Sequence, residues 1–266
     1  MGQKNIEAVF RKRAQENRIA LIPFITAGDP SLLDTERLVM TLAENGADIV
    51  ELGVPFSDPL ADGPVIQSAS ERSLKNGTTL KKILTCVERV RKKNNVPIIL
   101  MSYYNPILKM GLTAFADRAE EVGVDGIIIP DLPSEEAGDW IKAARRAKLA
   151  TIFLVAPTST EERIQKIVRV SRGFVYYVSL TGVTGARKNL QQDVREKLNL
   201  IRRFAKLPVC VGFGISKPEH IRQLTKNGSG VIVGSALVNL IEQSHPGDLH
   251  KKVGCFIQSL KKATWR

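Results

Sequence analysis

The chain has 266 residues, of which 43% are hydrophobic and 25% charged, and it carries a formal net charge of +12. These proportions are ordinary for a globular protein, and no stretch is long and apolar enough to predict a membrane span. The N-terminal segment has no apolar signal core, which argues against a secretory leader. The cysteines, at positions 86, 210 and 255, are far apart and odd in number. We therefore expect buried thiols in a reducing compartment rather than a disulfide framework or a zinc site.

The excess of basic residues raises the question of nucleic-acid binding. Many of the lysines and arginines fall in three segments, at 142–148, 163–172 and 195–206, where they lie at helical spacing beside apolar positions. This arrangement is typical of the solvated outer faces of helices. No basic cluster is interleaved with aromatic residues, so we expect no nucleic-acid partner.

Short apolar runs rich in β-branched residues alternate along the chain with longer segments that have helical periodicity. The runs predict eight strands, at residues 19–27, 47–53, 96–103, 124–131, 150–157, 173–179, 207–214 and 229–235. The main helical segments between them are 34–46, 79–94, 112–123, 134–148, 159–171 and 217–228. Nearly continuous apolar strands indicate burial on both faces, as in a parallel sheet covered by helices.

This uniform alternation predicts an α/β protein, a (β/α)8 barrel formed by a single domain over residues 1–266. A doubly wound open sheet is the alternative. Residues 4–17 predict an extra N-terminal helix that covers the floor of the barrel.

In such barrels the functional residues follow the C-terminal ends of the strands. No lysine ends a predicted strand, so a Schiff-base aldolase would lack its nucleophile. The three histidines, His220, His245 and His250, lie elsewhere, which disfavours a catalytic metal held by imidazoles. Carboxylates and tyrosine remain as the groups available for proton transfer.

Two carboxylates near the second strand are the candidates. The alternation of that strand points Glu51 into the barrel, where apolar surroundings raise the pKa of a carboxyl group toward neutrality. A structural acid in a salt bridge is the alternative for Glu51. Asp62 lies in a proline-rich loop, and its alternatives are a helix cap or a turn former. Asp58, between Ser57 and Pro59, indicates a turn or an interface residue.

Glycine-rich segments after the seventh and eighth strands, at 212–216 and 234–238, each lead into a helical stretch. Glycine lets backbone N–H groups approach an anion, and a helix N-terminus attracts it, so these two segments predict a phosphate site. A third glycine-rich segment, 179–189, predicts a lid, with an ordinary flexible loop as the alternative.

Together these motifs resemble the tryptophan synthase α subunit family, which are indole-3-glycerol-phosphate lyases. The matching stretches span nearly the whole chain in family order, at 23–30, 51–67, 122–133, 182–187, 211–220 and 230–238. Among them, ELGVPFSDPLADGPVIQ (51–67) is the most specific. The resemblance implies reversible retro-aldol cleavage of indole-3-glycerol phosphate into indole and glyceraldehyde 3-phosphate, with no cofactor in this chain.

Roles for individual residues follow from the same resemblance. It implies that Glu51 is the acid and base acting at indole C3 and the glycerol hydroxyl, and that Asp62 binds the indole N–H and stabilises its positive charge. It also implies that Tyr176 packs beside the substrate and helps to orient Glu51. The implied substrate-binding positions are Phe24, Met101, Ile128, Tyr176, Thr184 and Phe213. The implied phosphate-binding positions are Gly185, Gly214, Gly234 and Ser235.

The resemblance also implies a partner, the pyridoxal-phosphate-dependent β subunit, which receives indole through a tunnel in an α2β2 heterotetramer. Positions implied to face it are Pro55, Asp58, Asn105 and Pro133. Leu180 stands where many bacterial members carry arginine, which leaves the closing contacts of the lid open. The implied location is the bacterial cytoplasm, or the plastid stroma for a plastid-encoded protein.

Two other functions stay open beside the synthase subunit. A stand-alone lyase would release free indole, and a non-catalytic barrel would only bind and regulate a partner. The intact SDPLADGP stretch (57–64) argues against the first, and the presence of both Glu51 and Asp62 argues against the second.

Overall fold

The computed structural model describes residues 2–178, 187–212 and 214–266, with the side chains of 187–192 outside the description. Its strands are β1 (Ala20–Thr26), β2 (Val50–Gly53), β3 (Ile98–Met101), β4 (Gly126–Ile128), β5 (Ala150–Ile152), β6 (Leu154–Val155), β7 (Val175–Val178), β8 (Val209–Gly212) and β9 (Gly230–Val233). All the pairings between them are parallel, in the order β5-β4-β3-β2-β1-β9-β8-β7-β6.

The strands at the two ends of this order, β5 and β6, are consecutive in the chain. The predicted fifth strand, 150–157, is divided at Phe153: its first part, β5, pairs with β4 and its second part, β6, pairs with β7. The carbonyl oxygen of Phe153 accepts a hydrogen bond from the backbone N–H of Tyr176 at 3.1 Å. The sheet is therefore a nearly closed barrel. The predicted (β/α)8 fold is confirmed, the open-sheet alternative is wrong, and the eight predicted runs yield nine strands because one of them bends.

Apart from the first, the helices follow the strands and cover the outside of the barrel. They are α1 (Gln3–Gln15), α2 (Leu32–Glu44), α3 (Pro64–Lys75), α4 (Leu80–Arg91), α5 (Tyr104–Met110), α6 (Leu112–Glu121), α7 (Gly138–Arg146), α8 (Glu161–Val170), α9 (Arg187–Phe204), α10 (Pro218–Leu224), α11 (Ser235–Glu242) and α12 (Leu249–Lys261), with a final 3₁₀ turn at Lys262–Thr264. Among the described helices, none combines the length and apolar character that crossing a bilayer requires.

The helix boundaries follow local sequence signals. Helix α2 begins after Ser31, whose side chain accepts a hydrogen bond from the backbone N–H of Asp34, and α3 begins at Pro64, in the first turn where proline is tolerated. The helix predicted at 134–148 begins later, at Gly138, because the segment after Pro133 forms turns instead.

Apolar side chains form two layers. The outer layer lies between strands and helices and includes Val50 and Leu52 of β2. The inner layer fills the barrel interior and includes Phe24, Ile128, Cys210 and Ile232. Because successive side chains of a strand point to opposite faces, Glu51 points inward between two residues that point outward.

Helix α1 closes the N-terminal end of the barrel, as its sequence predicts. Ile6 and Phe10 belong to the inner layer, and the Phe10 ring lies 5.7 Å from the Phe174 ring, centroid to centroid. At the start of the helix, Asn5 donates a hydrogen bond of 2.7 Å to the buried carboxylate of Asp125. The opposite end of the barrel, where the strands finish, is left for the site.

Candidate active site

A cavity of about 890 Å³ lies at the C-terminal ends of the strands. Its volume is in the range of small-molecule sites. Strand ends contribute Phe24, Glu51, Met101, Tyr176 and Gly212 to its wall, and the loops and helix starts contribute Asp62, Gly214, Gly234 and Ser235. Most of the side chains predicted for catalysis and binding that fall in the described residues are thus brought together.

Glu51 is a buried acid in this wall. Strand β2 places it beside Phe24 of β1 and Ile99 of β3, and the residue is only 1% exposed. Its Oε2 atom has no hydrogen-bond partner among the described residues, and no ion pair with them reaches it. Burial raises the pKa of the Glu51 carboxyl from 4.5 to about 8, with a further contribution from the charge of Asp62. The salt-bridge alternative is wrong, because Glu51 forms no ion pair with a described residue, and with this pKa Glu51 is mainly protonated at neutral pH.

Asp62 lies on the loop between β2 and α3 and is half-buried. Burial raises the pKa of its carboxyl from 3.8 to about 6, and a hydrogen bond from Tyr103 opposes that rise. The helix-cap alternative is wrong, because α3 has Gly63 as its N-cap and no side-chain cap. At neutral pH Asp62 is mainly ionised while Glu51 is mainly protonated, which is the separation of roles that acid–base chemistry on two carboxyl groups requires.

Tyr103, which follows β3, is a residue to which sequence analysis gives no role. Its hydroxyl donates to Oδ2 of Asp62 at 3.2 Å and accepts from the backbone N–H of Ala61 at 2.8 Å. Its ring stacks on Phe56 with 4.9 Å between centroids. The position just after a strand is a signal for function, but the direction of the hydroxyl depends on how the loop folds.

Two glycines make room for the aromatic walls. A Cβ atom on Gly53 would collide with the ring of Phe24, and one on Gly212 would lie 2.5 Å from the hydroxyl oxygen of Tyr176. Glycine at each strand end therefore lets a ring lie flat across its neighbour. Tyr176 is half-buried in the cavity wall, and desolvation there raises the pKa of its hydroxyl, with the charge of Glu51 adding to the effect.

The remaining predicted pocket residues divide into three groups. Met101 lines the cavity, whereas Ile128 is fully buried in the inner layer and is not part of the described wall. Thr184, Gly185 and Phe213 lie outside the described residues, as do Leu180 and most of the predicted lid.

The glycine-rich end of the cavity faces the start of a helix. Gly234 is the N-cap of α11 and Ser235 its first residue, and Gly214 has a φ of 43°, a left-handed conformation that favours glycine. Arg163 and Asn239 also line this cavity. Neither residue is predicted from the sequence, since each lies in a helix rather than directly after a strand.

The four residues predicted to face a partner differ in exposure. Asp58 and Asn105 are exposed, Pro133 is half-buried, and Pro55 is buried within this chain. Leu60, on the same loop as Asp58, is 84% exposed. The partner surface stays a prediction.

The described residues form neither a metal-binding cluster nor a disulfide. In the parts of the chain that the structure describes, no group of three or more histidine, cysteine or acidic side chains is arranged to hold a metal ion. Cys86, Cys210 and Cys255 are all free thiols, and the first two are buried.

Comparison with known proteins identifies close relatives over nearly the whole chain. A family model described as "Tryptophan synthase alpha chain" matches residues 10–264. The tryptophan synthase alpha chain of Geobacter sulfurreducens is 53% identical over 258 residues, covering 97% of this chain and 98% of the relative. That of Rippkaea orientalis is 47% identical over 260 residues, covering 97% of each.

Solved structures are similar to the same extent. The crystal structure of tryptophan synthase subunit alpha from Legionella pneumophila superposes with a TM-score of 0.91 at 37% identity, covering 99% of this chain and 98% of that one. A chain of tryptophan synthase from M. tuberculosis superposes with a TM-score of 0.89 at 34% identity, covering 98% of both.

Proposed function

This chain belongs to the tryptophan synthase alpha chain family, and on that premise we propose how the two carboxyl groups at its barrel mouth carry out the reaction. The chain is a lyase that cleaves indole-3-glycerol phosphate to indole and glyceraldehyde 3-phosphate. The observation that carries the proposal is a pair of carboxyl groups in one cavity whose pKa values are about 8 and about 6.

Glu51 is the acid and base of the cleavage. Its protonated carboxyl gives a proton to indole C3, and the resulting indolenine can accept the electrons of the breaking C–C bond. The Glu51 carboxylate then takes the proton of the glycerol hydroxyl, the C–C bond breaks, and the electron pair returns to the indole. The carboxyl ends the cycle protonated, so one residue serves both steps. The support for this role is the burial and the raised pKa of Glu51.

Asp62 stabilises the charge that develops on the indole. Protonation at C3 makes the ring nitrogen positive, and an ionised carboxylate that accepts a hydrogen bond from the indole N–H opposes that charge. The pKa of about 6 supports this role, because Asp62 is then negative under the conditions in which Glu51 is still protonated.

The walls of the cavity orient the substrate between these groups. Phe24, Met101 and Tyr176 provide apolar and aromatic surface for the indole ring, with Tyr176 beside Glu51. The glycine-rich end, with Gly214, Gly234 and Ser235, provides backbone N–H groups and a helix N-terminus for the phosphate. We extend the substrate assignment to Ile128, Thr184 and Phe213 and the phosphate assignment to Gly185, on the resemblance of their sequence motifs.

We propose the β subunit of tryptophan synthase as the partner, with α2β2 stoichiometry and pyridoxal phosphate held only by that partner. Family membership implies such a partner. We propose that Pro55, Asp58, Asn105 and Pro133 face it, and the exposed Leu60 beside Asp58 supports a contact surface on this loop.

The location and the domain organisation are further parts of the proposal. We propose that the protein works in the cytoplasm, because its three thiols are free, as is usual in a reducing compartment. We also propose that residues 1–266 form one domain, because a single sheet connects all the described strands.

The test is indole release from indole-3-glycerol phosphate by the purified chain, with and without a β subunit. Slow release alone and much faster release with the partner would support the coupled subunit. Fast release that the partner does not change would contradict the partner assignment while leaving the chemistry intact. Loss of release with the Glu51→Gln variant, in both conditions, would separate catalysis by this chain from a purely regulatory role.

A further inference from the structure

A second cavity, of about 590 Å³, lies at the opposite end of the barrel from the catalytic mouth. Its wall is formed by α1 and the residues after it, by the segment that joins α9 to β8, and by Ser229 before β9. Pro208 and Ser229 directly precede their strands, so this floor cavity lies at the N-terminal ends of the strands. It is therefore separate from the phosphate end of the substrate site.

The wall of the floor cavity is strongly basic. Its charged members are Arg11, Arg18, Arg202, Lys206, Arg266 and Glu7. Glu7 is the sole carboxylate side chain among the described residues of this wall, and it accepts a hydrogen bond of 2.6 Å from Gln3. The segment 195–206 is predicted to form a solvated helix face, yet Arg202 and Lys206 line a concave surface.

None of the cations of the floor cavity forms an ion pair with an acidic side chain among the described residues. Arg11, Arg18, Arg202 and Lys206 form no ion pair with any described residue, and the guanidinium of Arg266 donates only to the carbonyl oxygen of Gly228, at 3.3 Å, among the described residues. Burial lowers the pKa of the Arg266 guanidinium, and the charge of Arg202 lowers it further. Like charges thus lie close enough to repel one another, and an anion placed among them would relieve that repulsion.

Arg18 adds a further unsatisfied group. Its guanidinium carbon lies 3.7 Å from the centroid of the Trp265 ring, which holds the side chain in place. Its Nε atom is buried and has no hydrogen-bond partner among the described residues. A guanidinium that is already held in place loses little side-chain freedom on binding, and carboxylate and phosphate oxygens are the acceptors that it binds best.

We propose that the floor cavity is a binding site for a small polyanion carrying phosphate or carboxylate groups, held chiefly by Arg18, Arg202 and Arg266. The volume suits a small molecule, and a concave basic wall concentrates anions. Guanidinium groups match both phosphate and carboxylate geometry, so the two chemistries must be separated by experiment.

The test uses pyrophosphate and citrate as probes at constant ionic strength, with the full chain. Trp265 is 55% exposed and stacked on Arg18, so its fluorescence should report binding nearby, whereas the other tryptophan, Trp140, is buried. We expect a saturable change in emission that disappears in Trp265→Phe, and saturable heat in calorimetry. The probe that binds more tightly identifies the phosphate or the carboxylate class.

Arg202→Ala and Arg203→Ala are the matched variants, because both residues are exposed neighbours on α9 and Arg203 is not part of the cavity wall. Arg202→Ala should weaken probe binding about tenfold, as expected for the loss of one charged contact, and should leave indole release unchanged. Arg203→Ala should bind the probe as the wild type does. Arg163→Ala, in the wall of the catalytic mouth, should also bind the probe as the wild type does.

Three results would overturn the proposal. The first is the absence of saturable binding of both probes by fluorescence and calorimetry. The second is equal weakening by Arg202→Ala and Arg203→Ala, which would mean diffuse attraction to a basic surface. The third is weakening by Arg163→Ala and not by Arg202→Ala, which would assign the binding to the catalytic mouth instead.

Discussion

The hydroxyl of Tyr103 donates a hydrogen bond of 3.2 Å to Oδ2 of Asp62, and so connects the residues after β3 to the loop after β2. The same hydroxyl accepts from the backbone N–H of Ala61, which fixes the loop on the residue before the carboxylate. This hydrogen bond favours the ionised form of Asp62, because a carboxylate accepts a hydrogen bond more strongly than a protonated carboxyl group does. One tyrosine thus controls both the position and the charge of the group that we propose for indole binding.

Tyr103→Phe should therefore raise the pKa of Asp62 above its present value of about 6. The acid limb of the pH–kcat profile should move to higher pH, and kcat at neutral pH should fall roughly 3- to 10-fold. Tyr104→Phe is the control, since the contact that Tyr104 makes in this region is from its backbone N–H to Asp131. An acid limb that stays in place in Tyr103→Phe would contradict the positioning role.

The two carboxyl groups predict a bell-shaped pH dependence of cleavage. Activity should fall below a pH of about 6, as Asp62 becomes protonated, and above about 8, as Glu51 loses its proton. These limbs belong to the coupled pair, so each reports an apparent value. A flat profile across this window, measured by initial rates of indole release, would argue against the assignment of roles.

Asp62→Asn should reduce kcat about 100-fold, because it removes the negative charge that opposes the developing charge on indole. It should also move the alkaline limb to lower pH, since the charge of Asp62 contributes to the raised pKa of Glu51. Asp58→Asn, an exposed change on the same loop, should leave the intrinsic rate and both limbs unchanged. Full activity of Asp62→Asn would reduce Asp62 to a loop-forming residue.

Glu51→Gln should abolish cleavage, with a loss of at least about 1000-fold in kcat, because the amide can neither donate to C3 nor take the hydroxyl proton. Binding of glyceraldehyde 3-phosphate, measured by calorimetry, should remain close to that of the wild type, since the phosphate end is unchanged. Glu71→Gln on the outside of α3 is the matched control and should keep full activity. Strong residual turnover in Glu51→Gln would refute the acid–base role.

The burial of Glu51 also predicts how stability changes with pH. The pKa is raised from 4.5 in the unfolded chain to about 8 in the folded one, so between these values the folded state binds the extra proton. An acid whose pKa is higher in the folded than in the unfolded state stabilises the protein fully at pH values below its unfolded pKa of 4.5. This stabilisation is lost as the pH rises from there toward the folded pKa of about 8. Glu51→Gln does not titrate and should escape that loss.

The free energy of unfolding of the wild type should therefore fall relative to Glu51→Gln between about pH 5 and pH 8, by several kcal/mol at about 1.4 kcal/mol per unit. Urea unfolding at both pH values gives the difference, and effects common to both proteins cancel. A difference that is constant across the window would mean that Glu51 keeps an ordinary pKa in the folded protein.

Much of this site can be predicted from the sequence, because the two-residue period of a strand and the burial of its apolar side chains determine which side chains face the cavity. Val50 and Leu52 alternate with Glu51, and in a barrel strand that pattern alone places the acid inside. The glycine-rich ends of the last two strands predict the start of α11 at the cavity in the same way. These features are local or periodic, so they can be predicted without knowing which loops are in contact.

Other features depend on contacts between distant segments and escape prediction. The strand predicted at 150–157 is divided at Phe153, because β5 pairs with β4 and β6 pairs with β7. The apolar run itself does not indicate this division, because it depends on strands that are distant in the sequence. Tyr103 and Tyr104 are equivalent in sequence, and the stacking of Tyr103 on Phe56 decides which hydroxyl reaches Asp62. The floor cavity combines residues from α1, the end of α9 and Arg266, so its basic character emerges only after folding.

The close approach of Gly212 to Tyr176 gives a last prediction, which concerns the shape of the pocket rather than its charge. In Gly212→Ala the new Cβ would lie 2.5 Å from the Tyr176 hydroxyl oxygen and would also meet the ring, so the ring must move away from its place beside Glu51. We expect kcat/KM for indole-3-glycerol phosphate to fall roughly tenfold, as displaced substrate-orienting groups typically do. Gly138→Ala, at the start of α7, has no atom within 4 Å of its new Cβ and should be silent. Equal activity of the two variants would show that the position of Tyr176 does not matter for cleavage.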